Sequence, residues 1–312
     1  MKWLDASSLR STFSGRTRYA AERHGGAKLA AHFAGWQGRA RPENRNTGRG
    51  AAISSLDVAG ILIDLDGTVY QGNELIAGAA AAVERLRGAG VPLLFTTNTS
   101  RKSRRDIIDS LRAMGLEVGA EEVFSAPVAA SEWLAEQGVR RVQLLLPEST
   151  HDDFTGFEIT TEEPEMVLVG DLGAGFTFER LNAAFRSLRG GAGLVAVHRN
   201  RFWLPEDGPV LDAGPFVAAL EYAARVEATL VGKPSAAFFR TAAARTGVAL
   251  DRLAVVGDDV ESDVAGARAA GLVSIQVRTG KFASSRRSSL PPDERPHRVI
   301  DSLADLPELL DV

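Results

Sequence analysis

Two aspartates two positions apart, Asp64 and Asp66, close an apolar run in the segment 60–70, GILIDLDGTVY. Residues two apart on an extended chain point the same way, so both carboxylates address one place. Acids at the end of a buried strand are costly unless they bind a cation or do chemistry. A carboxylate so placed can attack an electrophile and form a covalent intermediate. Its neighbour can then protonate a leaving oxygen and later activate water. Asp-x-Asp alone reads equally well as two solvated acids capping a turn. The apolar run before it and Gly67-Thr68 after it favour a site.

Polar residues that strands do not need recur at three later places: Thr97, Lys233, and Asp258 with Asp263. If the strands are parallel, all four ends lie along one edge of one sheet, where open α/β sheets bind ligands. Several carboxylates meeting there repel and raise one another's pKa. A divalent cation resolves that, and all-oxygen ligation favours Mg²⁺. Lys233 and the Thr97 hydroxyl then serve anionic oxygens, as phosphoryl chemistry requires.

The elements that must position these residues alternate from Asp57 onward. Apolar runs at 61–65, 91–95, 142–146, 166–169, 194–197, 228–231, 253–256, 273–277 and 298–300 read as strands. Helices are expected near 79–87, 101–114, 127–137, 178–188, 215–225 and after Pro234, several ended by glycine. Phe178, Leu181, Phe185 and Leu188 share one helical face. Alternation at this spacing means βαβ units and a parallel sheet. Asp66 and Thr97 are 31 residues apart, room for one helix and a strand; Thr97 and Lys233 are 136 apart. One crossover needs far less, so residues 140–228 form an inserted α/β unit that lies over the site as a lid. The expected organisation is a doubly wound parallel-sheet core at 56–139 and 229–312, with the smaller unit between. Within that unit, the stretch from Asn200 to Gly214, with Trp203, Glu206, Asp207 and Asp212, is where specificity is sought; an ordinary surface hairpin is the plainer reading. His198 is expected to be a satisfied structural histidine; Arg278 and Lys281 could aid phosphate binding, with solvated loop charge the default reading.

Composition narrows the class. The 312 residues include no cysteine, which excludes disulfides and thiolate metal sites. Residues 1–55 carry a charge of +7 and the remainder −11. So acidic a body argues against nucleic acid as a partner, and no apolar run is long enough to span a membrane. The basic segment 1–55 lacks apolar periodicity and reads as a disordered extension. It loosely resembles a transit peptide, but an upstream extension with no folded role is preferred, and the expected location is cytoplasmic.

The ordered set DLDGT, TTN, GKP and GDDVESD resembles the haloacid dehalogenase (HAD) superfamily over about residues 57–312. The long interval before Lys233 is similar to that of its C2-capped, NagD-like subfamily IIA. The resemblance implies a Mg²⁺-dependent phosphatase with Asp64 as nucleophile and metal ligand. Asp66 is implied as general acid/base, ligating through its backbone carbonyl. Thr97 and the Asn98 N–H would bind the phosphoryl group and Lys233 would neutralise it. Asp258 would ligate Mg²⁺ and Asp263 would orient a metal-bound water. Asp259 could substitute for either acid or stand behind them. The runs 211–223, 231–239, 257–267 and 276–282 resemble a narrower branch, for which pyrophosphate or a phospho-amino acid is implied. Nucleotide or sugar phosphates fit the wider subfamily. A phosphoryl transferase and a non-catalytic regulatory protein of the same fold are the alternatives, and a homodimer through the cap occurs among relatives.

Overall fold

Consecutive rather than alternating apolar positions mark a strand covered on both faces, and the Gly60–Asp64 strand is buried along its whole length. The structure, a computed structural model, describes residues 56–203, 208–282 and 290–312. The basic segment 1–55, Glu206, Asp207 and the first half of the 283–296 loop, 283–289, lie outside the described residues. The first sheet has six parallel strands in the order Arg298–Ile300, Val273–Val277, Leu253–Gly257, Gly60–Asp64, Leu93–Thr97, Val123–Ser125. Ile61 and Ile63 pack on one face with Phe95, Val256 and the helices Ala79–Gly88 and Arg104–Ala113. Leu62 packs on the other face with Phe238 and Phe239 of the helix Ala236–Thr246. Each such buried side chain contributes roughly 1.5–3 kcal/mol. The doubly wound α/β core is thus present.

A second sheet of five parallel strands forms between the two halves of the first, in the order Thr229–Leu230, Gly193–Ala196, Met166–Val169, Arg141–Leu145, Glu158–Ile159. The helices Phe178–Arg189 and Ala213–Ala224 cover one face. The helix Ala126–Glu136 covers the other with Ala126, Ala130 and Leu134, while its Val128 and Ala129 pack against the first sheet. One helix therefore belongs to two cores, and both sheets lie in one compact unit.

Four expectations need correcting. The strand before Lys233 pairs with Gly193–Ala196 of the second sheet, not with the first. Only three of the four functional strand ends therefore share a sheet. The chain follows the second sheet through Gly232, whose N–H donates to the Val197 carbonyl at 2.9 Å, and then crosses into the core. Pro234, expected near the first turn of the helix that follows, lies just ahead of it, because Ser235 is the N-cap. The helix expected from Arg101 begins at Arg104, where Ser103 and Asp106 form a reciprocal capping box; residues 98–103 are left as a loop. Phe178 is exposed rather than on the packed face, being the first residue of its helix, directly after the Thr177 cap.

Candidate active site

After Gly60–Asp64 the chain adds strands on one side, and after the second sheet it returns to add strands on the other. The crevice outside the carboxyl ends of such a switch point is where ligands bind. Asp64 stands at the end of one central strand and Asp258 just past the end of its neighbour, whose partner residues run Gly60 with Leu253 through Ile63 with Val256. Asp263 follows one turn on, in a π-helical segment Val260–Ala265. The three carboxylates each offer an oxygen within 4.8 Å of the others, and all are buried. Lys233, 1% exposed, reaches in from the other sheet and donates to Asp64 Oδ1 at 2.5 Å and Asp263 Oδ1 at 2.7 Å.

The sequence-expected residues divide accordingly. Asp64, Asp258, Asp263 and Lys233 form one cluster; Asp66 is exposed outside it. Thr97 is buried at its strand end, and its hydroxyl accepts the Thr99 N–H at 3.0 Å, which leaves its own proton to donate. The Asn98 side chain is occupied: it donates to the Lys233 carbonyl and accepts the Lys233 N–H, both at 2.9 Å, so it holds Lys233 in register. Asp259 caps the Val260–Ala265 segment, accepting the Glu261 and Ser262 N–H groups.

The electrostatics follow from burial. Burial pushes the Asp64 carboxyl up, with Lys233 pulling it back. Burial raises Asp258 to about 8, helped by Asp64 and Asp263. Asp263 rises to about 7 by burial, against the pull of Lys233 and with Asp64 and Asp259 adding to it. For Lys233 burial opposes the charge, but Asp263 and Asp64 outweigh it and its pKa rises. One lysine thus faces three carboxylates, and the remaining charge must be met by protons or by a cation. The donors are all oxygen, which suits a hard divalent ion; the residues fit a metal on that ground.

That balance has a measurable consequence. Asp258 and Asp263 hold protons in the folded chain well above the ordinary value of 3.8. Stability they contribute is therefore full below about pH 4 and is lost as pH rises towards 8. A cation replaces those protons. The thermal midpoint gained on adding 5 mM MgCl₂ is expected to be larger at pH 8 than at pH 5.5 by several degrees, measured by scanning calorimetry; an equal gain at both would contradict the charge balance.

Two glycines make room for Asp258. Gly67 (φ 81°) and Gly280 (φ 60°) both adopt the left-handed conformation, and a Cβ on either would clash with the Asp258 carboxylate. Thr279 fastens the two loops by donating to the Gly67 carbonyl at 2.5 Å, and the Lys281 N–H donates to Asp258 Oδ2 at 2.6 Å.

Sequence reasoning missed the seam between the sheets. Ser100 Oγ lies 3.0 Å from His198 Nε2 and accepts the Asp171 N–H at 2.8 Å. Arg101 grips both oxygens of Asp171, at 2.6 and 3.1 Å, and lies over the Trp203 ring at 4.8 Å. His198 is buried, which lowers its pKa against Asp212 and Asp171. It is tied to the core, more than a packing residue. The 200–214 stretch does contain a hairpin, Phe202–Trp203 with Val210–Leu211, and Asp212 caps the next helix through the Ala213 N–H. The Ser100-Arg101 pair, one residue after TTN, was the available signal; nothing local linked it to residues seventy or more positions away.

Two family models match the chain: a haloacid dehalogenase-like hydrolase model over residues 61–160 and a HAD-hydrolase-like model over 230–306. The human haloacid dehalogenase-like hydrolase domain-containing protein 2 is 39% identical over 232 residues, covering 74% of this chain and 88% of that one. The bovine phospholysine phosphohistidine inorganic pyrophosphate phosphatase is 37% identical over 259 residues, covering 81% and 94%. Among solved structures, a glycerol phosphate phosphatase from Mycobacterium tuberculosis in complex with magnesium is similar with a TM-score of 0.74 and 29% identity, over 82% of this chain and 78% of that one. An α/β hydrolase with acids gathered at a switch point is the class that fold and site define. The chain belongs to the haloacid dehalogenase-like hydrolases and is a phosphatase of that family. Among the described residues, no helix is long and apolar enough to cross a membrane.

Proposed function

We propose that the chain is a divalent-metal-dependent phosphatase that cleaves a small phosphate ester, phosphoramidate or pyrophosphate through an aspartyl-phosphate on Asp64. The observation that carries this reading is the buried set Asp64, Asp258 and Asp263 closed by Lys233. Asp64 Oδ attacks phosphorus in line with the departing atom, oxygen in an ester or pyrophosphate and nitrogen in a phosphoramidate, forming the acyl phosphate as that P–O or P–N bond breaks. Asp66, exposed beside the cluster, gives its proton to the departing atom. It then takes a proton from the water that attacks the acyl phosphate, which restores Asp64 and frees inorganic phosphate. Lys233 balances negative charge on Asp64 and the phosphoryl oxygens throughout, and the Thr97 hydroxyl donates to one of those oxygens. Asp64, Asp258 and Asp263 would hold the metal, which on its oxygen donors we take to be Mg²⁺; when bound it supplies charge neutralisation on the phosphoryl group. The inserted sheet covers the crevice and admits a small phosphorylated substrate rather than a polymer.

The test is a panel of phosphorylated metabolites, phospho-amino acids and pyrophosphate, scored by release of inorganic phosphate. Release from at least one member with MgCl₂, and loss of at least about 100-fold with excess EDTA, are expected. Release that persists undiminished in EDTA removes the metal from the proposal, and transfer to an added alcohol in place of release makes the chain a transferase.

A further inference from the structure

We infer that Lys281 is a specificity residue: its ammonium binds a second anionic group of the substrate, one or two bonds beyond the phosphoryl group held at Asp64. This rests on the phosphatase reading above and adds the substrate class, a phosphoryl compound that also carries a carboxylate or a further phosphoryl group.

The placement is built rather than incidental. Thr279 is hydrogen-bonded to Gly67, Gly280 packs against Gly67, and the Lys281 N–H is bonded to Asp258. The loop bearing Lys281 is therefore clamped to the loop that follows the nucleophile. The side chain is 59% exposed and, among the described residues, its side-chain bond is to Asp259 Oδ2, at 3.3 Å. Asp259 also accepts two backbone N–H groups as a helix cap, so it keeps partners when Lys281 turns away, although the Lys281 charge helps to hold its carboxyl low. The lysine end of the pair is exposed and the contact is long, and ion pairs of that kind contribute little.

Among the described residues, two basic groups close to the cluster are already committed. Lys233 spends two of its three protons on Asp64 and Asp263, and Arg101 is held by both oxygens of Asp171. The Lys281 N–H is bonded to Asp258 Oδ2 and its ammonium to Asp259 Oδ2, so the residue borders the acid cluster from the loop facing Gly67, beside where the part of a substrate beyond the phosphoryl group must lie.

The test is titration calorimetry of the full chain in MgCl₂ with two unreactive anions, methylphosphonate and phosphonoacetate, which differ by one carboxylate. The wild type is expected to bind phosphonoacetate at least about tenfold more tightly, the scale of one hydrogen bond between charged groups. Lys281→Gln should remove most of that preference and Lys281→Arg should restore most of it. A wild type with no preference, or a preference that survives Lys281→Gln, overturns the inference. Neither outcome depends on turnover, whereas the phosphatase reading stands or falls on phosphate release from the panel.

Discussion

Asp64→Asn is expected to lower turnover by about 10⁴-fold or more, the scale seen when a covalent nucleophile is removed, while the chain stays folded. The amide is nearly isosteric and still accepts the Lys233 proton through its oxygen, so packing is kept. What changes is charge. Asp64 raises the pKa of both Asp258 and Asp263, so removing its negative charge relaxes the two acids that remain. The metal-free variant should therefore unfold at the same temperature as the wild type or a higher one at pH 8. Circular dichroism melts beside phosphate-release assays check both halves. Unchanged turnover removes Asp64 as nucleophile; lost turnover with a collapsed melt assigns Asp64 a structural role instead.

Lys233→Met should be the most destabilising single change in the site. The ammonium is 1% exposed and bridges Asp64 and Asp263. Breaking a buried pair from one side leaves uncompensated charge and costs about 3–5 kcal/mol. The sign of the pH dependence follows from the raised acids. Without the lysine, Asp64 and Asp263 hold their protons to still higher pH, so the variant is least impaired at low pH and loses stability as pH rises through 7 and 8. Urea unfolding without divalent ions should show a deficit at pH 8 that is clearly smaller at pH 5.5. A deficit equal at both values would mean that packing of the lysine stem, not its charge, supports the site. Turnover should fall by at least about 100-fold, as when a preorganised charge is taken from a transition state. Lys233→Arg should not restore it, because a planar fork does not fit where one ammonium touches two carboxylates.

The chemistry of this protein was legible where side chain and backbone signals coincide within a few residues. The apolar run into Asp64, the turn at Gly67 and the GDDVESD run report a buried strand end bearing acids, and they do so locally. Five of the six strands of the first sheet gave the same signal, because strands buried on both faces are uniformly apolar. The three-residue edge strand Val123–Ser125 was too short to show it, and the strand before Lys233 was expected in the wrong sheet. The 136 residues before Lys233 likewise required an inserted unit, since a crossover needs few.

Tertiary structure decided which acids share the pocket, and from which sheet Lys233 arrives. Lys233 and Asp64 are 169 positions apart, and the strand before Lys233 looks alike whichever sheet it joins. Asp66 and Asp263 are equally plausible as buried partners in sequence; the turn after Asp64 leaves one exposed, and one helical turn buries the other. Lys281 reads by default as loop charge; the close approach of Gly280 to Gly67 is what sets its N–H against Asp258. Residue type carries reactivity, but proximity between distant segments depends on sheet register and on which faces are buried, quantities set by the sum of many contacts rather than by any short stretch of chain.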